Sequence, residues 1–116
     1  MEILERRKKL RKEVLKRASD WAKALPFQAS AFLIGSYARG DFNLWSDVDL
    51  LIVLEGLRGG PLERLKALDI PPGFQVIPIT KEEFRRLMAK GSPLIKEALE
   101  SGIVLRDDLR LKKPAS

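Results

Sequence analysis

Apolar residues recur along the amino-terminal part of the chain in steps of three or four: Ile3, Leu4, Leu10, Val14, Leu15, Ala18, Trp21, Ala22 and Leu25. That period predicts one long amphipathic helix over residues 2–24, ended by Pro26, with Lys and Arg filling its other faces. The pattern then changes to short continuous apolar runs. Ala31–Ile34 breaks at Gly35-Ser36, and Asp47–Leu54 runs to Glu55-Gly56 with Asp47 and Asp49 alternating with Val48 and Leu50. These runs read as two strands joined by a polar loop, Tyr37–Ser46. Gly59-Gly60 reads as a flexible linker, and Pro61–Leu68 as a short helix with Pro near its first position.

Pro71-Pro72-Gly73 is a strong turn signal, and Phe74–Ile79 reads as a third strand. Thr80-Lys81-Glu82-Glu83 has the spacing of a capping box and opens a helix through Met88, stopped by Gly91. Ser92-Pro93 opens another, to about Glu100, stopped by Gly102, and Ile103–Leu105 reads as a last short strand. Beyond Arg106 the tail, residues 107–116, is expected to fray. Strands alternating with helices predict a single α/β domain over residues 1–116: an amino-terminal helix through residue 25, then a core over 31–105 built on one sheet.

Composition narrows the chemistry. Apolar residues make up 45% of the 116 positions and charged residues 33%, which describes a folded domain and not a disordered one. Cysteine is absent, which excludes a disulfide framework and thiolate metal sites. Histidine is absent too, so catalysis has to rest on carboxylates, a metal and bound phosphate. The formal charge of +6 favours polyanionic partners, but much of it lies between Arg6 and Arg17 and at the carboxyl end. The basic face of the first helix is read either as solvated or as a contact for nucleic acid or a partner. A nucleic-acid role rests on charge alone, without a recognition signature or an aromatic platform. No apolar stretch approaches the roughly 20 residues that span a bilayer, and the amino terminus is charged from Glu2 onward, so a cytoplasmic protein without membrane contact is expected.

Residues two apart on a strand face the same way, so Asp47 and Asp49 present two carboxylates side by side. Such a pair repels unless a cation neutralises it, and Mg²⁺, which takes few protein oxygens, suits it. Both aspartates on a solvated sheet edge is the competing reading. Gly35-Ser36 lets backbone approach a ligand and adds a hydroxyl and an amide donor, although a lone Gly-Ser is most often a turn. Trp45 is expected to pack beneath the loop, with stacking on a base as the alternative.

Taken together, G-S followed by A-R-G and S-D-V-D-L-L-I-V resembles the DNA polymerase β-like nucleotidyltransferase superfamily, and within it the minimal nucleotidyltransferases that sit beside a helical HEPN-domain partner. The resemblance implies a small mixed β-sheet flanked by helices. It implies transfer of a nucleoside monophosphate, from ATP or another NTP, to an acceptor hydroxyl with Mg²⁺ or Mn²⁺. By that likeness Asp47 and Asp49 are the catalytic metal ligands, and Gly35, Ser36 and Arg39 hold the triphosphate. The family carries a third acid on its next strand, where this chain has Gln75, an amide of nearly the same shape without the charge. That departure brings in a second function, a nucleotide-binding antitoxin that neutralises a HEPN-domain toxin with little or no turnover. The acceptor and any self-association stay open.

Overall fold

The computed structural model describes residues 2–56 and 59–112. In chain order its elements are α1 (Ile3–Lys23), β1 (Ala29–Ile34), α2 (Gly35–Arg39), β2 (Val48–Leu54), α3 (Pro61–Leu68), β3 (Phe74–Thr80), α4 (Lys81–Ala89), α5 (Pro93–Glu100) and β4 (Ile103–Asp107). The strands form a four-stranded sheet in the order β3-β2-β1-β4. β1 runs antiparallel to both β2 and β4, while β2 and β3 are parallel, so the sheet is mixed as expected.

The two strands rich in Ile, Leu and Val occupy the middle of the sheet, where both faces are covered. Alternation along them sorts side chains into two cores. Leu33, Leu50, Ile52 and Leu54 face one core with Ala18 and Ala22 of α1. Phe32, Ile34, Leu51 and Val53 face the other with Phe84 of α4 and Ile95 and Ala98 of α5. Asp49 has the parity of Leu51 and Val53, and so stands at the open end of the α5-side core. Edge strand β3 tolerates Pro78, whose missing N–H costs the sheet little there.

The element boundaries carry the differences from expectation. β2 begins at Val48, so Asp47 precedes the strand and is exposed instead of lying within it. The expected polar loop after Gly35 opens with the short helix α2. Trp45 does not pack beneath that loop; it is 90% exposed. Phe42 is the buried anchor, stacked on Tyr37 with ring centroids 4.4 Å apart. Ile3 and Leu4 fall off the packed stripe of α1, which starts at Leu10, and lie in solvent.

The fraying expected after Arg106 does not extend to residues 107–112. Asp107 accepts hydrogen bonds from Ser30 Oγ (2.7 Å) and from the Leu111 and Lys112 amides, and Leu109 and Leu111 pack on the α5-side core. Residues 113–116 of the expected tail lie outside the described residues. Among the described residues no helix is long and apolar enough to cross a membrane.

Candidate active site

Gly35 sits where β1 passes into α2, with φ of +75°, a conformation that L side chains adopt only at a cost. A methyl group there would run into the Asp49 carboxylate, because Ile34 and Asp49 are register partners across β1 and β2. Glycine is therefore required twice over, for the backbone and for the neighbouring acid. Gly40, at φ of +93°, ends α2 in the left-handed conformation. The carbonyls at that end are held from outside: Arg11 donates to the Tyr37 and Ala38 oxygens (2.8 and 3.0 Å), and Arg7 to the Gly40 oxygen (3.1 Å). Part of the basic face of α1 is thus spent on fixing the segment that carries the Gly-Ser break.

Gly35, Ser36 and Arg39 line an open cavity of about 420 Å³ together with Asp49, Gln75, Ile77, Leu94 and Glu97. Asp49 and Gln75 are direct neighbours across the parallel ladder, so the amide stands on the same sheet face as the carboxylate. The structure therefore brings together five of the six residues singled out in the sequence. The sixth, Asp47, is not in the cavity wall but lies close enough to act on Asp49 electrostatically.

Burial pushes the Asp49 carboxyl above the ordinary carboxylate value, and the negative charges of Asp47 and then Glu97 add to that; Arg39 pulls the other way. A site that raises the pKa of its own acid is short of positive charge. A divalent cation would supply it, and carboxylate oxygens are the donors a hard cation prefers. Among the described residues, however, no three acidic side chains stand together as a ready metal cage. Arg39 is held in its charged form chiefly by Asp41 (Nε to Oδ2, 3.2 Å), and its Nη1 donates to Glu97 Oε2 at 3.1 Å.

Glu97 is the site residue that the sequence does not give away. It lies on α5, far along the chain, in a helix whose apolar positions, Leu94, Ile95, Ala98 and Leu99, explain the local pattern without it. Its carboxylate reads as one more solvated charge until α5 is laid across the carboxyl end of β1. There it accepts the Gly35 N–H at 2.9 Å.

A family model described as a nucleotidyltransferase domain matches residues 7–114. Among solved structures, a presumed nucleotidyltransferase from Sulfolobus solfataricus shares the fold, with a TM-score of 0.52, 21% identity, and 81% of this chain and 84% of that one covered. No curated protein matches the chain. The family match spans nearly the whole sequence, both strands of the Gly-Ser and Asp-x-Asp segment included, and the chain belongs to the nucleotidyltransferase domain family.

Proposed function

We propose that the protein transfers a nucleoside monophosphate, AMP from ATP being the first choice, to an acceptor hydroxyl. One observation carries this reading: Gly35, Ser36 and Arg39 of α2 and Asp49 of β2 line a single open cavity. In the reaction the acceptor hydroxyl gives its proton to water as its oxygen bonds to the α-phosphorus, the bond from that phosphorus to the bridging oxygen breaks, and pyrophosphate leaves with the electron pair. Asp47 and Asp49 would hold Mg²⁺ or Mn²⁺; burial, and then the charges of Asp47 and Glu97, raise the Asp49 carboxyl, and a bound cation would offset that cost. When bound, the ion supplies positive charge for the attacking and leaving oxygens.

The chain's own contribution is positioning and charge. Arg39 offers a guanidinium to the phosphates, and Gly35 and Ser36 let them approach the backbone closely. Gln75 places an amide beside Asp49 without adding to the negative charge. The test is incubation with α-labelled ATP, Mg²⁺ and candidate acceptors, protein and small-molecule. Label transferred by the wild type and lost in Asp49→Asn supports the reading; equal labelling by that variant overturns it.

A second reading is favoured by the neutral Gln75 beside Asp49 and by the exposed apolar side chains of Ile3, Leu4, Leu44 and Trp45. In it the chain binds nucleotide with little turnover and docks on a helical HEPN-domain protein as its antitoxin. Co-expression distinguishes the two: neutralisation that survives Asp49→Asn favours docking, and neutralisation that requires Asp49 favours transfer.

A further inference from the structure

The two donors given above to a phosphate already hold an anion. Oxygen Oε2 of Glu97 accepts the Gly35 N–H at 2.9 Å and the Arg39 Nη1–H at 3.1 Å. A single oxygen bridging a backbone amide and a guanidinium is how a phosphate oxygen would be held at the same place. Glu97 is not a distant surface charge that happens to touch Arg39. It lines the same cavity as Asp49 and Gln75, and its charge acts on Asp49. Asp41 takes the Nε side of Arg39 and Glu97 the Nη1 side, so two carboxylates already share the guanidinium that a phosphate would need.

We infer that Glu97 is an internal stand-in for a phosphate, and that it sets how tightly the cavity takes a polyphosphate. A phosphoryl group reaching Gly35 and Arg39 has to displace the Glu97 carboxylate, and a carboxylate that stays nearby repels the incoming charge. The ligand class is therefore a nucleoside polyphosphate whose terminal groups carry enough charge to win both donors. A monophosphate, carrying less charge, competes less well for the same two donors. The inference rests on the nucleotide reading of this cavity and adds the residue that tunes it.

Glu97→Gln keeps the shape of the side chain and an acceptor oxygen but removes the charge. Binding of ATP, and of inorganic tripolyphosphate without metal, is measured by calorimetry for the wild type and for Glu97→Gln. The expected result is binding about tenfold tighter in the variant, with a smaller gain for AMP and a gap that narrows as salt is raised. Amide resonances give a second readout: tripolyphosphate shifts the Gly35 N–H of the wild type as Glu97 is displaced from it, and the ligand-free variant already differs from the wild type at that signal. If the wild type binds ATP and tripolyphosphate but the variant binds them equally or more weakly, Glu97 only positions Arg39 and the inference falls while the nucleotide reading stands. If neither protein binds either ligand, both fall.

Discussion

Asp49 and Gln75 face each other across the β2–β3 ladder as direct register partners, a carboxylate beside an uncharged amide. The amide spares Asp49 a further negative neighbour, at a position where burial, Asp47 and Glu97 already push its carboxyl up. Gln75→Glu restores an acid at this place. It should raise Mn²⁺ affinity on the order of tenfold, since charge count at the ligands tunes such sites. It should also lower the melting temperature in metal-free buffer, because the new charge stands directly beside Asp49 while Arg39 is already shared between Asp41 and Glu97. Titration with Mn²⁺ and a melt in chelator check the two halves separately. Unchanged metal affinity would mean that position 75 does not look into the metal site.

Asp49 itself should be a stability liability in the metal-free protein. An acid whose folded pKa lies above its ordinary value of 3.8 favours the folded state when protonated. The penalty is absent below that ordinary value, grows as pH rises toward the folded pKa, and is complete above it. Asp49→Asn is therefore expected to melt higher than the wild type at neutral pH, and the gap should close as pH falls toward 3.8. Saturating Mg²⁺ should stabilise the wild type and leave the variant unmoved. Such a gain in stability at the cost of function is common where an active site stores charge.

Gly35→Ala tests the tight meeting of strand and helix. Alanine pays for the left-handed backbone, about 1–2 kcal/mol, and its methyl group must also push the Asp49 carboxylate aside. The expected loss is about 2–3 kcal/mol, and a domain of this size loses roughly 4–8 °C per kcal/mol. Urea unfolding measures the loss. The double variant with Asp49→Ala should recover the steric part and leave the backbone part.

Much of this was readable from local pattern. The capping box at Thr80 forms as its spacing requires, with the Thr80 side chain accepting from the Glu83 amide and the Glu83 carboxylate accepting from the Thr80 amide. Pro61 and Pro93 stand at the start of their helices, and the apolar run Val48–Leu54 is a central strand. These features depend on neighbours within a few positions, which a sequence displays. What depended on packing did not show. Phe42 rather than Trp45 anchors the loop because Tyr37 is turned toward it by a short helix that no periodicity announces. Arg7 and Arg11 look like solvated charge until α1 is laid beside α2, and Glu97 belongs to the cavity only because α5 crosses the end of β1. The Gly-Ser and Asp-x-Asp spacing placed the donors, and long-range contacts decided which of them are already engaged.

The acid limb of stability should run through Glu83. Its carboxylate accepts the Thr80 N–H at 2.8 Å and Nη1 of Arg64 at 2.7 Å, and the buried Arg64 also donates to the Pro78 and Gly59 oxygens. The Thr80 backbone N–H is the largest cause holding the Glu83 carboxyl below its ordinary value of 4.5; burial opposes it, and the Thr80 hydroxyl and Arg64 assist. For an acid depressed in the folded state the stabilisation is fully present above the unfolded value and is lost as pH falls through the folded one. Urea midpoints should therefore be flat near neutrality and drop below about pH 4.5. Glu83→Gln should flatten that drop, leaving the part that belongs to Asp108, whose carboxyl is likewise lowered, first by Arg106. At pH 7 the substitution also strips Arg64 of its carboxylate. Glu83 keeps 35% of its side chain in water, so the cost should fall below the about 3–5 kcal/mol of a fully buried pair, at roughly 1–3 kcal/mol. Thr80→Ala should cost about 1 kcal/mol by itself, and the double variant less than the sum, because the two side chains cap each other. Full additivity in that cycle would show that Arg64, and not the cap, is what Glu83 is there to hold.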